Sequence, residues 1–253
     1  MSNKKVVLLK EATQQNDPYV TSLSQLMSVK CIPVLCYNYI NKEQIQHSLQ
    51  NVSMYNGIIF TSPRGVLAVK KAFKTPLPCW ANVICYTVGE ATKREAEKLG
   101  FNCKGEKSGT GAVLAHLIVN DKVNFDNDKN LLFISGTIKR PELSNIIIEA
   151  KLGLKDIIAY ETFCDPSIEL KIKHYLDSQG VPDFLVFFSP SGVKFCLDMW
   201  REIWNLNSKF SFVVSIGTST TEKLESEGIK NIVTASSPNP KSLLDVIEKQ
   251  LQI

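Results

Sequence analysis

Apolar positions along this chain fall in short runs, each closed by Gly, Pro, Ser or Thr and each followed by a segment with helical spacing. Val6–Leu9 predicts a buried strand, Asp17-Pro18 opens a helix to about Met27, and Lys30–Leu35 predicts the next strand. Further strands are predicted near 57–60, 83–88 and 101–104. A second short unit follows, with strand Asn130–Ile134, a Gly-Thr turn, helix from Pro141 to about Lys151 and strand Asp156–Tyr160. The last strands fall near 184–188, 211–216 and 231–234. Such alternation predicts an α/β protein with right-handed crossovers and parallel sheets, about five strands each, covered by helices on both faces.

The pattern also repeats. Ile58–Val69 reads IIFTSPRGVLAV and Leu185–Cys196 reads LVFFSPSGVKFC. Val88–Phe101 (VGEATKREAEKLGF) is matched by Ile216–Ile229 (IGTSTTEKLESEGI). Ser62 to Ser189 is a shift of 127 and Gly89 to Gly217 one of 128, so the register holds across both motifs. The central pieces are contiguous, and the N-terminal strands are expected to pair with the C-terminal run. This predicts a discontinuous domain of residues 1–36 and 166–253 around an inserted one at 40–162. Its linkers would be Cys36–Asn41 and Thr162–Ser167, side by side as a two-stranded hinge. A sequential split near residue 125 gives the same strand count; adjacent entry and exit points favour the interleaved arrangement.

Composition narrows the chemistry. With 253 residues, 44% of them hydrophobic, the chain can bury two cores. A net charge of +4, without long Lys/Arg runs, argues against a nucleic-acid surface and suits an anionic small molecule. Seven cysteines, odd in number and without a CxxC pair, predict free thiols in a reducing compartment. Three histidines without HxH or HExxH spacing predict no metal site. MSNKKVVLLK lacks the apolar core of a signal peptide, and no apolar run reaches membrane-spanning length, so a cytoplasmic location is expected.

Ser62-Pro63 and Ser189-Pro190 each follow a strand directly. Ser is a strong N-cap and Pro suits the first helical position, so both pairs read as helix starts. Four such starts, after Phe60, Val88, Phe188 and Ile216, fall at carboxyl ends of parallel strands, where open α/β sheets bind ligands. Two facing sheets would let these ends line one cleft. Each offers unpaired N–H groups and partial positive charge. Hydroxyls of Ser62, Thr92, Ser189, Ser191, Ser219 and Thr220 add donors, and Arg64 adds a fixed cation whose fork suits a carboxylate. The Gly-Thr segments at 108–111 and 135–137 read as backbone-exposing turns. Neither a Walker loop nor a GxGxxG fingerprint is present.

In order along the chain, VLLK…DPY (7–19), IPVL (32–35), FTSPR (60–64), VGEAT (88–92), SG…KR (135–140), AYETF (159–163), GVPDFLVFFSPSG (180–192), SIGTST (215–220) and SSPNP (236–240) resemble the uroporphyrinogen-III synthases, most closely those of animals. The resemblance implies two flavodoxin-like domains on a two-stranded hinge. It also implies a monomeric tetrapyrrole-pathway lyase that uses neither metal nor organic cofactor. Its substrate would be hydroxymethylbilane, closed to uroporphyrinogen III with loss of water and inversion of ring D. That substrate carries eight carboxylates, in keeping with a site of helix N-termini and hydroxyls. By position, substrate-binding residues of the family fall on Ser62, Arg64, Thr92, Ser189, Ser219 and Thr220. A tyrosine considered for the chemistry falls on Tyr160. Animal enzymes carry a lysine shortly before the Ile216-Gly217 motif, where this chain has Phe212; Lys209 is close but out of register. A non-catalytic two-domain module binding a polyanionic metabolite is the rival reading; such a binder would leave only the spontaneous type I ring.

Overall fold

The computed structural model describes residues 4–11, 16–73, 78–206 and 212–251. In chain order the first elements are β1 (Lys5–Leu9), α1 (Pro18–Leu23), β2 (Ser28–Cys31), β3 (Leu35–Tyr39), α2 (Lys42–Gln50), β4 (Tyr55–Phe60), α3 (Pro63–Ala72) and β5 (Ile84–Thr87). Then come α4 (Glu90–Glu97), β6 (Asn102–Lys104), α5 (Gly111–Asn120), β7 (Asn130–Gly136), α6 (Glu142–Glu149), β8 (Gly153–Cys164) and α7 (Ile168–Gln179). The chain closes with β9 (Phe184–Phe187), α8 (Pro190–Leu206), β10 (Phe212–Ser215), α9 (Thr218–Ser226), β11 (Ile232–Thr234) and α10 (Pro240–Leu251). No helix among the described residues is long and apolar enough to cross a membrane.

The chain divides into two compact units, one of Met1–Cys36 with Phe163–Ile253, the other of Tyr37–Thr162. The first holds a five-stranded parallel sheet in the order β11-β10-β9-β1-β2. The interior strand β1, between β9 and β2, is apolar at every buried position because both faces are covered. Val7 and Leu9 enter the core under α7 and α8, whereas Val6 and Leu8 enter the core under α1 and α10. Period-two alternation therefore feeds two cores from one strand.

The second unit holds a six-stranded sheet, β3-β8-β7-β4-β5-β6. In β4, Ile58 and Phe60 pack with α3 and α4 while Ile59 packs with α5 and α6. Five of its strands stand in parallel with their neighbours through β4–β5, β4–β7, β5–β6 and β7–β8. The added edge strand β3 runs the other way: the amide of Ile40 donates to the Ala159 carbonyl (3.0 Å) and that of Asp165 to the Val34 carbonyl (2.9 Å). Pairing that steps forward on one strand and backward on the other is antiparallel.

Two expectations need correction. Lys30–Leu35 is not one strand: β2 ends at Cys31 and β3 begins at Leu35, because Pro33 cannot donate to a ladder. Of the segments 36–41 and 162–167, expected side by side as two strands, the parts within β3 and β8 are strand, ending at Tyr39 and Cys164. The helices at 18 and 142 stop sooner than their apolar periods suggest, at Leu23 and Glu149. The second ends before Lys151, whose φ of 58° cannot continue a helix.

Candidate functional site

In the second unit, β4, β5 and β7 end at Phe60, Thr87 and Gly136, and α3 and α4 start just beyond the first two. Ser62 caps α3: its backbone is extended and its Oγ accepts the Arg64 amide at 3.2 Å, with Pro63 at the first helical position. This local geometry follows from the Ser-Pro pair alone. The Arg64 guanidinium lies over the Tyr37 ring, 3.9 Å from its centroid. Stacking in this way directs the N–H fork in the plane of the group, where a carboxylate is met edge-on.

Tyr37 in turn meets Tyr160 edge-to-face, with ring centroids 6.3 Å apart. Tyr160 is buried, 7% exposed, on β8. Burial pushes its hydroxyl above the ordinary value. A hydrogen bond from Ser62 and the charge of Arg64 pull it back, while Tyr37 and Tyr39 add to the rise. The phenol therefore stays protonated, a donor, at neutral pH. Behind it stands Gly136, opposite Tyr160 across a register shift between β7 and β8. A Cβ at Gly136 would lie 2.5 and 2.6 Å from two carbons of the Tyr160 ring and 2.9 Å from its hydroxyl oxygen. Ser135-Gly136, expected as part of a turn, is thus the end of β7 and the wall against which Tyr160 rests. Thr137 continues the pairing, its amide donating to the Tyr160 carbonyl at 3.0 Å.

The neighbouring helix start differs. Gly89 caps α4 with φ 80°, a left-handed conformation that suits glycine, and no side chain caps the helix. Thr92 is 2% exposed inside the first turn of α4 rather than presented on its surface.

In the first unit the equivalent strand ends are Phe187, Ser215 and Thr234. Ser189 caps α8, its Oγ accepting the Gly192 amide at 3.0 Å, and Ser191 sits half-buried in the first turn. Gly217 precedes α9 with extended backbone. Ser219 is half-buried and Thr220 is 1% exposed. Thr221, which the sequence pattern did not single out, joins a hydroxyl chain with Ser215 and with Thr234 (2.8 Å) that ties the start of α9 to β10 and β11. Around the end of β1, Lys10 pairs with Asp17 and lies 5.5 and 5.7 Å from the ring centres of Tyr19 and Phe188. The Tyr19 hydroxyl donates to the Pro238 carbonyl at 2.9 Å. The VLLK…DPY, FFSPSG and SSPNP motifs are thereby brought together. Lys10 and Tyr19 were missed as candidates because Phe188 and Pro238, which they meet, lie far along the chain.

Ser62, Arg64 and Tyr160 thus form one cluster with Tyr37, whereas Thr92 and Thr220 are buried within helix starts. Phe212 opens β10, and Lys209 lies outside the described residues. Two concavities inside the units, about 680 Å³ between β2 and α7 and about 400 Å³ against α2 and β8, include none of the candidate residues. No group of three His, Cys, Asp or Glu side chains suited to a metal occurs among the described residues.

Each unit is thus an α/β fold in which a strand end leads into a helix start capped by a serine hydroxyl, Ser62 in one and Ser189 in the other, and open α/β folds as a class hold anions at such helix starts. Residues 25–245 match the family model described as uroporphyrinogen-III synthase HemD. The uroporphyrinogen-III synthase of Schizosaccharomyces pombe is 31% identical over 256 residues, covering 96% of each chain. That of Saccharomyces cerevisiae is 27% identical over 272 residues, covering 98% of each. The crystal structures of uroporphyrinogen-III synthetase from Helicobacter pylori (TM-score 0.66, 16% identity) and of a mutant uroporphyrinogen III synthase from Thermus thermophilus (TM-score 0.63, 17% identity) share the fold. Each covers 98% of this chain and 99% of the other. The chain belongs to the uroporphyrinogen-III synthase family, lyases of tetrapyrrole biosynthesis.

Proposed function

We propose that this chain converts hydroxymethylbilane to uroporphyrinogen III, and that Tyr160 serves the departure of the hydroxyl group. The observation that carries the residue assignment is the Ser62–Arg64–Tyr37–Tyr160 cluster: a buried, protonated phenol beside a stacked guanidinium and a helix start. In this reading the phenol donates a hydrogen bond to the leaving oxygen. The C–O bond then breaks as the departing oxygen takes up a proton from solvent, so that water leaves and an azafulvene cation remains; the proton is returned when the closed ring loses one at the end. The cation is attacked by the substituted carbon of ring D, and the resulting spiro intermediate reopens to give the inverted ring. Holding the cation so that this attack precedes end-to-end closure is a task of positioning and charge stabilisation, for which fixed dipoles suffice.

The substrate's carboxylates fall, in this proposal, to Arg64 and to the helix starts bearing Ser62, Thr92, Ser189, Ser191, Ser219 and Thr220. A helix N-terminus favours an anion by about 0.3–1 kcal/mol, so several together give useful hold without buried cations. Lys10 already has Asp17 and Lys139 already has Asp156, which leaves hydroxyls and amides as the natural donors beside them. We also propose that the two units are the domains of the protein, the first discontinuous. On this account it works as a cytoplasmic monomer without metal or organic cofactor, has no nucleic-acid or membrane partner, and holds its cysteines as thiols in the absence of an oxidant. The test is the ring isomer formed when purified protein meets hydroxymethylbilane. Type III product supports the proposal; type I alone, the spontaneous product, would leave a binding module.

A further inference from the structure

Two cysteines that the proposed reaction does not use stand directly opposite one another. Cys85 in β5 and Cys103 in β6 are register partners, between the pairs Ile84–Asn102 and Tyr86–Lys104. Neighbouring strands run about 4.8 Å apart, within the Cα separation of about 4.4–6.8 Å that a disulfide spans. Their common face is settled by the next pair along. The Tyr86 hydroxyl and the Lys104 ammonium both bond to Asp121, at 2.9 and 2.7 Å, so those two side chains share one face. Alternation then places both thiols together on the other face.

There Cys85 is fully buried, in the core that includes Ala96 and Phe101, and Cys103 is half-buried against it. The nearness of the Cys85 thiol favours the Cys103 thiolate, and Lys93 adds to the effect, whereas burial holds Cys85 protonated. Such a division of roles gives one attacking and one resolving sulfur. Cys103 itself donates to the Phe101 carbonyl at 3.8 Å, a contact it gives up on ionising. Cys79 is exposed, and Cys164 and Cys196 donate to the carbonyls of Phe195 (3.7 Å) and Gly192 (3.1 Å).

We propose that Cys85 and Cys103 are a modification site, a cross-strand dithiol that a hydroperoxide oxidises to a disulfide clamping the edge strand β6 to β5. The Cys103 thiolate attacks one peroxide oxygen and the O–O bond breaks; the departing oxygen takes a proton, leaving Cys103 as a sulfenic acid. The Cys85 sulfur then attacks the Cys103 sulfur, its thiol proton leaves with the displaced hydroxide as water, and the S–S bond forms. Two thiols lose two electrons in all, and the peroxide is reduced to water and an alcohol, or to two waters when it is hydrogen peroxide. A dithiol reductant reverses the bond.

The site needs nothing from the proposed lyase reaction, and its test is separate. The full chain is treated with hydrogen peroxide, remaining thiols are alkylated in denaturant, and peptides are mapped without reduction. The expected result is a Cys85–Cys103 linked peptide as the main product, lost on dithiothreitol treatment, absent in Cys103→Ser and retained in Cys79→Ser. Amides of β6 should exchange more slowly in the oxidised chain. Recovery of Cys103 as sulfinic acid with Cys85 still alkylatable would overturn the proposal, as would linkage first through Cys79. The map of the unaltered chain decides this even if a variant folds poorly.

Discussion

Gly136→Ala probes the support of Tyr160 without removing any group that could bond to substrate. The added methyl would lie 2.5 and 2.6 Å from ring carbons of Tyr160. Carbon atoms rest at about 3.5–4.0 Å, so the ring must give by roughly 1 Å. Its neighbours resist, because Tyr160 is packed in the core of the second unit with Tyr37 at its edge. Overpacking of this kind costs about 1–3 kcal/mol, which for a chain of this size lowers Tm by about 2–12 °C. A displacement near 1 Å at a reacting group costs about a hundredfold in rate. The expected outcome is a folded, somewhat less stable protein whose type III formation per folded molecule drops about ten- to a hundredfold. The assay pairs a thermal melt with isomer-resolved product analysis. In the double variant with Tyr160→Phe, activity should be little worse than in Tyr160→Phe alone, since both changes act through one phenol. A lower Tm with unchanged activity per folded molecule would refute the reasoning: the position of Tyr160 would then not matter to the reaction.

Ser62 separates capping from chemistry. Ser62→Ala should cost about 0.5–2 kcal/mol of stability and Ser62→Gly only a few tenths, while both lose equal type III activity; full activity in Ser62→Gly would assign the hydroxyl to the helix alone. Asp165 predicts an acid limb of stability. Ion pairing with Lys171 and bonds from Ser167 hold its carboxyl down at about 2. Because the folded value lies below the unfolded one of about 3.9, its contribution is present above pH 4 and is lost as pH falls from about 4 through 2. The Lys171 side chain is 40% exposed, so solvent screening limits the term to about 1–2 kcal/mol. Asp165→Asn should flatten that part of the stability curve, and parallel curves for the two proteins would remove Asp165 as the cause.

Most of the fold is legible in the apolar runs because parallel strands buried on both faces, such as Val6–Leu9 and Ile58–Phe60, have no polar positions to obscure them. β3 was missed because Ile32–Leu35 continues the apolar run; only Pro33 marks the break. The helix α7 carries its signal in Ile168, Ile172 and Tyr175, one face at helical spacing, set among charged residues that mask it. At the site, the Ser-Pro helix starts are local features and could be read directly. Tyr37 and Gly136 could not, since their importance lies in what they touch across the sheet: a guanidinium on one side of Tyr37, and the ring of Tyr160 against a missing Cβ. Thr92 and Thr220 look alike in sequence to surface hydroxyls, yet the close packing of their helices on the sheet buries both.

The central claim is that the phenol of Tyr160 helps the hydroxyl of the bilane depart while the surrounding cluster holds ring D. Its most direct test is the yield of each ring isomer from Tyr160→Phe at saturating hydroxymethylbilane, measured beside the unaltered chain. One hydrogen bond to a leaving group is worth roughly 1–3 kcal/mol, or about five- to a hundredfold in rate. The account predicts that type III formation slows by that factor, with affinity little changed and spontaneous type I ring making up the balance. Type III formation at the unaltered rate and affinity would contradict it and leave Tyr160 an aromatic of the strand's end.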